Sequence, residues 1–333
     1  MKLIAIEEHF LTAEIRAAWA TSAIGQEGTA GFDRGEIEER LDDLGQGRIA
    51  LMDESGVEVQ VLSVTTPALH NLDPEESLIL ARCTNDLVAA TIAKYPKRFQ
   101  GFATLPTASP ADAAIELERG VQRLGLVGTM LCGRTRDKNL DHPDFLPLFS
   151  TAAKLGVPVF VHPQIPQRAV RDTYYSGFGE LIDTAFATFA LGWHYEAGIQ
   201  FVRLMLAGVF DQYPDLQIIL GHWGEVVLFY LERLNSLARV AKLQRPVADY
   251  MRNNLYVTPS GMWNQSYLHR TLEIVGPERI LFSTDYPYQY RPGGAGASFL
   301  NEAVLSREEK ELFAHGNWER LTKAVDLGRA ASS

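Results

Sequence analysis

A chain of 333 residues with 46% hydrophobic and 22% charged content can bury one large α/β barrel or two smaller domains, and lacks the polarity of a disordered protein. Its formal net charge of −10, with no local Lys/Arg cluster, argues against a nucleic-acid partner, which needs a basic surface. Two cysteines, Cys83 and Cys132, make neither a disulfide framework nor a thiolate metal site, no run reaches the ~20 apolar residues of a membrane span, and Glu7 and Glu8 interrupt any signal segment, so a cytoplasmic protein with no membrane contact is expected.

In chain order, the first expected strand is KLIAIE (2–7), which runs on into EHF. On a period of two, Ala5, Glu7 and His9 share one face, and Ile4, Ile6, Glu8 and Phe10 share the other. A Glu-x-His pair at a strand end is either salt-bridged and structural or an edge of metal ligands. Glu8 then faces away and pairs structurally. The connection 11–48 is longer than a βα loop requires. VEVQVLSV (57–64) is the second strand, followed by TTPALHN with His70, and a helical pattern spans 74–96. RFQGFATL (98–105) precedes a helix over 110–125, and LVGTMLCG (126–133) precedes one over 142–156. VPVFVHP (157–163) carries His162 near its end and opens a second long connection, 164–200. LQIILGH (216–222) ends in His222 and is read as feeding a helix over 223–243, with Glu225 in its first turn. LYVTPSG (255–261), a helix over 264–276 and RILFSTDYP (279–287), containing Asp285, complete the set, and the Gly-rich RPGGAGASF (291–299) reads as a flexible turn.

Eight βα units in one chain predict a (β/α)8 TIM barrel with extended loops after strands 1 and 5, folded as one domain over 1–333. No G-x-G-x-x-G follows any strand, which disfavours a doubly wound sheet. A barrel gathers its chemistry at the C-terminal ends of its strands, where Glu7, His9, His162, His222 and Asp285 fall. Singly, each has an ordinary structural reading. Together, two imidazoles and two carboxylates suit a divalent ion such as Zn²⁺, Mn²⁺ or Fe²⁺. Glu7, His9, His162 and Asp285 are the expected ligands, with one position left open. His222 stands behind them. Glu225 either fixes its tautomer or simply caps a helix N-terminus. Cys132 reads as a small buried residue.

The pattern ExH on strand one, HP on strand five, GHWGE on strand six and STDYP on strand eight resembles the amidohydrolase superfamily. EEHF, GVFDQYPDLQIILGHWGE, YVTPSG and FSTDYPY are similar, more narrowly, to its metal-dependent, cofactor-free decarboxylases of hydroxylated aromatic acids. The likeness runs from strand one to strand eight. It implies a carbon–carbon lyase that protonates the carboxylate-bearing ring carbon of a 2-hydroxybenzoate and releases CO₂, with Asp285 or His222 as donor. Binuclear hydrolases of this superfamily commonly carry a bridging Lys on strand four, where GTMLCGR has none. That departure and Glu7 at the first ligand position favour a single Mn²⁺ over Zn²⁺ and the lyase over the runner-up, a mononuclear hydrolase of an ester, lactone or amide. No organic cofactor is implied. Tyr174, Tyr175, Trp193, His194, His70 and Arg134 are the substrate-contact candidates, beside Phe178, Tyr195 and Arg171. The resemblance also implies a homodimer or homotetramer.

Overall fold

The computed structural model describes residues 1–22 and 34–323. The short Val/Ile/Leu/Phe runs form parallel strands covered on both faces, as expected where helices return the chain between neighbouring strands. One sheet orders β1 (Ile4–Phe10), β2 (Val59–Val64) and β3 (Phe99–Gly101). A second orders β4 (Thr129–Cys132), β5 (Val159–His162), β6 (Ile218–Leu220) and β7 (Leu255–Val257).

Backbone hydrogen bonds join the two sheets on both sides. The Ala103 N–H donates to Gly128 O (2.8 Å) and the Val127 N–H to Gly101 O (3.0 Å). Opposite, the Leu281 N–H donates to Val257 O (2.9 Å), the Ile6 N–H to Phe282 O (3.1 Å) and the His9 N–H to Tyr286 O (2.7 Å). The eighth expected strand therefore departs from regular form. It bridges β7 at Ile280 and β1 at Tyr286, because Asp285 has φ 58° and turns the chain between the two contacts.

The helices Pro74–Lys94, Pro110–Gln122 and Gln265–Val275 lie where the 3.6-residue pattern places them, the first two opened by a proline whose missing N–H would be unpaired there anyway. Gly156, with φ 65°, ends the helix Leu146–Leu155 before β5, the left-handed cap that glycine adopts at least cost. Two expectations are corrected. The helix expected over 223–243 does not start after His222: residues 222–226 all have positive φ, and regular helix resumes at Leu231–Val240. Within RPGGAGASF only the first part is a turn, since Ala295–Glu302 is helical.

The long connection after β1 contains helices Ala13–Thr21 and Glu36–Asp42, and the one after β5 contains Arg168–Tyr174, Glu180–Ala185 and the start of Gly192–Leu206. No helix among the described residues is long and apolar enough to cross a membrane.

Candidate metal centre and active site

β1 brings Glu7 and His9 to one face despite a shift of register against β2 between Ala5 and Glu8. β5 ends in His162, and the turn after Ser283 presents Asp285. One ligand atom from each of these four side chains lies within 4.8 Å of all the others, and all four are buried. His9 Nε2 is 3.4 Å from Asp285 Oδ1, and His162 Nε2 is 3.7 Å from Glu7 Oε1.

The surroundings orient each donor inward. Glu7 Oε2 accepts hydrogen bonds from Ser260 Oγ, Thr258 Oγ1 (3.1 Å) and Ser283 Oγ (3.2 Å). Glu7 Oε1 has no partner. His162 Nδ1 faces the Pro163 carbonyl at 2.9 Å; a carbonyl only accepts, so the proton sits on Nδ1 and the Nε2 lone pair faces the cluster. His9 Nδ1 is 3.2 Å from Ser63 Oγ, and His9 Nε2 has no partner. Unpartnered buried polar atoms are rare in folded proteins, and two aimed into one cluster of acidic and imidazole donors fit a divalent cation. The packing leaves no slack: a methyl on Gly221 would lie 3.0 Å from Glu7 Oε1 and 2.7 Å from Ser260 Oγ.

Burial drives the Glu7 carboxyl up to about 8, opposed by His222 and reinforced by Asp285. Burial likewise raises Asp285 to about 7, against the pull of His222 and His194. It pushes His9 down to about 3, helped by the Arg48 charge, and His162 well below its ordinary value. The imidazoles thus keep free lone pairs, while the two carboxylates lack the positive charge their burial calls for.

Beside this centre, the left-handed turn at 222–226 folds Glu225 back beneath two rings. Glu225 Oε1 accepts from His222 Nδ1 at 2.6 Å and Oε2 from His194 Nδ1 at 2.8 Å. His194 Nε2 meets the Phe189 carbonyl at 3.0 Å. Both His194 nitrogens face acceptors, so the ring satisfies them only as an imidazolium. Burial lowers the basicity of both imidazoles, but the Glu225 carboxylate outweighs it and both are raised. Burial raises Glu225 in turn, and the two rings overcome that and bring it down to about 2. Glu225 is therefore the carboxylate that orients His222. The alternative of a helix N-terminal cap is set aside, because no regular helix begins there.

His162, His222 and Asp285 open onto a cavity of about 530 Å³ whose wall includes Trp193 and His194. The other contact candidates lie elsewhere. Tyr174 and Phe178 are 71% and 63% exposed, and Tyr175 packs edge-on against Phe186 at 4.9 Å. His70 is buried and accepts the Cys132 N–H at 3.1 Å, and Arg134 donates to the Arg136 and Ile165 carbonyls. None of these five is on the cavity wall among the described residues. Cys132 is buried, with burial pushing its thiol up to about 12. Sequence reasoning missed Phe189, Met262 and Tyr288 on the wall, and the hydroxyls of Thr258, Ser260 and Ser283 behind Glu7. The last three fall inside the quoted motifs YVTPSG and FSTDYPY, so position was legible there and role was not.

Comparison with known proteins agrees with this geometry. Residues 9–321 match the amidohydrolase family. The γ-resorcylate decarboxylase of Polaromonas sp. (strain JS666) is 34% identical, over 96% of this chain and 98% of its own. A crystal structure of dihydroxybenzoic acid decarboxylase from Polaromonas sp. JS666, with bound manganese and the inhibitor 2-nitroresorcinol, superposes with TM-score 0.82 at 32% identity, covering 97% of each chain. That of 5-carboxyvanillate decarboxylase from Novosphingobium aromaticivorans, complexed with manganese and 4-hydroxy-3-methoxy-5-nitrobenzoic acid, gives TM-score 0.88 at 29% identity, covering 97% of this chain and 96% of that one.

Proposed function

This chain belongs to the amidohydrolase family, and from that premise we propose that it is a metal-dependent, cofactor-free decarboxylase of a 2-hydroxybenzoate, working as a single barrel domain in the cytoplasm. The observation that carries the reading is the pair of unpartnered donors, Glu7 Oε1 and His9 Nε2, beside a cavity walled by Trp193 and entered by Asp285 and His222. Glu7, His9, His162 and Asp285 would hold one ion, for which Mn²⁺ suits the harder oxygen donor at the first position. The ion would supply an anchor for the substrate's carboxylate and ortho hydroxyl and draw charge from them.

The chain's own groups do the rest. Trp193 packs against the ring, since indole gives rigid apolar contact. The proton for the ring carbon that bears the carboxylate comes from His222 or from Asp285, the latter only when it shifts from ligand to acid. Glu225 holds the His222 Nδ1–H and leaves Nε2 as the nitrogen available to the cavity. When the proton adds, that carbon becomes tetrahedral. The bond to the carboxylate then breaks, CO₂ leaves, and the electron pair of that bond returns to the ring. One proton is consumed and no oxidant or reductant is needed. Hydrolysis of an ester, lactone or amide would use the same donors but is not favoured, because the relatives described above are decarboxylases.

The exposed side chains Phe178, Leu181, Ile182, Phe189, Phe229 and Val240 support self-association through the connection after β5 and the segment after β6. A homodimer or homotetramer is expected, checked by light scattering against the 37.0 kDa chain. The functional test is CO₂ release from a panel of 2-hydroxybenzoates by Mn²⁺-loaded protein beside a chelator-treated control. Metal-dependent release is the expected result; silence across the panel with metal bound would overturn the reading.

A further inference from the structure

The segment that brings Trp193 to the cavity is held by little apolar burial. Between the helices Glu180–Ala185 and Gly192–Leu206 the chain passes through Phe186–Ala190. There Thr188 leaves helical geometry, with φ −106° and ψ −122°, and of the five residues Ala187 and Thr188 alone are buried. Phe189 and Leu191 are 49% and 38% exposed, although Phe189, Ala190 and Trp193 line the cavity. Local hydrogen bonds fold the segment on itself: the Leu191 N–H donates to the Thr188 carbonyl at 3.2 Å, and the His194 N–H to the Leu191 carbonyl at 3.2 Å. A methyl on Gly192 would collide with the Ala187 carbonyl oxygen, so glycine is needed where the chain turns back.

The His194 side chain ties this segment to the barrel. Its Nε2 lies 3.0 Å from the Phe189 carbonyl and its Nδ1 lies 2.8 Å from Glu225 Oε2. Glu225 is fully buried and gives its other oxygen to His222 Nδ1 at 2.6 Å. The last torsion of a glutamate side chain is broad, with no sharply preferred angle, so a single partner would leave the carboxylate free to swing. A second donor on the opposite oxygen fixes its plane, and with it the line of the His222 Nδ1–H. Hydrogen bonds between charged groups are about twice as strong as neutral ones, so both ties are firm. With its two N–H groups engaged, His194 has none left to offer a substrate.

Resting on the decarboxylase reading above, we propose that His194 is a positioning residue: through Nε2 it latches the Phe189–Trp193 wall to the barrel, and through Nδ1 it sets the Glu225 carboxylate that aims His222. One ring thereby couples the seating of the substrate to the aim of the proton donor.

The two ties can be removed one at a time. The amide nitrogen of asparagine reaches the place of Nδ1 and that of glutamine the place of Nε2. His194→Asn therefore keeps the link to Glu225, His194→Gln keeps the link to Phe189, and His194→Phe keeps the bulk of a ring and neither link. Each full-length variant is checked for folding by circular dichroism and loaded with Mn²⁺. On the best 2-hydroxybenzoate of the panel, His194→Gln should lose kcat at least ~10-fold with the smaller change in KM. His194→Asn should raise KM at least ~10-fold with the smaller change in kcat, and His194→Phe should do both. The calorimetric Kd of unreactive 2-nitrophenol should rise about 10-fold in the Asn and Phe variants and hold in the Gln variant. In protein with isotope-labelled histidine and one equivalent of diamagnetic Zn²⁺, the downfield His222 Nδ1–H resonance should persist in the Asn variant and broaden in the other two. A merely structural ring would lower Tm and move none of these readouts. A folded His194→Phe protein that keeps kcat and KM overturns the inference, as do Asn and Gln variants that lose the same parameter. If wild-type protein decarboxylates no acid, the decarboxylase reading fails, and the latch is judged by the 2-nitrophenol affinities and the His222 resonance: it stands if both follow this pattern and falls if either does not.

Discussion

Glu7 and Glu8 are adjacent in the chain and both fully buried, yet the fold treats them in opposite ways. Glu8 is fully engaged: it accepts from Gln60 Nε2 (3.1 Å), from the Thr284 N–H (2.8 Å) and from Thr284 Oγ1 (2.6 Å). Gln60 in turn accepts from Arg48 Nε at 2.6 Å, and Arg48 donates to the His9 carbonyl at 2.8 Å and stacks on Tyr286. Glu7 has three hydroxyls on one oxygen and no hydrogen bond on the other, which lies 3.7 Å from His162 Nε2. Burial alone therefore does not mark a functional carboxylate. What marks it is an oxygen left without a partner where the same side chain's other oxygen is over-supplied, next to an imidazole nitrogen in the same condition. Glu8 ties β1, β2 and the turn before Asp285 together and so holds the frame in which Glu7 waits for an ion.

Replacing one neighbour and then the other breaks the comparison most directly. Glu7→Gln keeps the shape and the hydroxyl contacts but removes the anionic donor. Metal analysis should find less than one ion per chain, and decarboxylation should fall by about 10³ or more, since both substrate orientation and charge stabilisation go with the ion. Retained metal and near-normal turnover would take Glu7 out of the ligand set. His222→Asn lies between the two cases. It removes acid–base function while leaving all four donors, so kcat should fall by at least ~10² with metal content unchanged; near-normal turnover would remove His222 from the mechanism. Glu8→Gln should show the opposite profile to Glu7→Gln. An amide cannot accept from Gln60 and both Thr284 donors as a carboxylate does, so thermal unfolding should report a loss of about 2 kcal/mol, with full metal occupancy and largely preserved kcat. A Glu8 variant that lost its metal while still folded would dissolve the distinction between the two residues.

The same pair shows how far the sequence could be read. The alternation in IAIEEHF assigned Glu7 and His9 to one face and Glu8 to the other, and that part holds, since Glu7 and His9 meet in one cluster while Glu8 sits beside Gln60. Ala5, expected with Glu7 and His9, does not follow, because β1 advances three residues from Ala5 to Glu8 while β2 advances two from Gln60 to Leu62, which puts Ala5 on the side of Glu8. Strand-end histidines on β5 and after β6 were equally legible, since short apolar runs that end in one polar residue have little else to offer. Three things were not. Left-handed backbone at Ser260, His222, Glu225 and Asp285 has no composition signature in residues that rarely adopt it, and it is what turned an expected helix after His222 into the turn that aims Glu225. The committed state of His194 depends on the Phe189 carbonyl, which no side-chain pattern reveals. The wall residues Phe189, Met262 and Tyr288 come from three separate segments, and only the closed barrel brings them to one cavity.

The smallest effect, and the one that reads the unpartnered oxygens most directly, is in how stability depends on pH with and without metal. Glu7 and Asp285 stand at about 8 and about 7 in the metal-free fold, raised by burial from 4.5 and 3.8. Between their unfolded and folded values the native state holds more protons than the unfolded chain, so stability falls as pH rises through that window. The lowered imidazoles act in the other direction. His9 and His70, at about 3, bind fewer protons in the fold than in the unfolded chain from about 3 up to their ordinary 6.5. Their contribution increases with pH over that range and is complete above it. From pH 6.5 to 8 the two forms differ at Glu7 and Asp285, which a bound cation keeps ionised and paired, and at His222, which interacts with both carboxylates and gives up its proton more readily beside the ion, in the same direction. The gap in Tm between Mn²⁺-loaded and metal-free protein should widen across those 1.5 units by the equivalent of roughly 1–2 kcal/mol, a few degrees for a chain of this size. In Glu8→Gln the widening should persist; in Glu7→Gln it should shrink toward nothing. A gap that stays constant with pH in the wild-type protein would mean that the two carboxylates do not take up the ion's charge, and would return Glu7 to the same structural category as its neighbour.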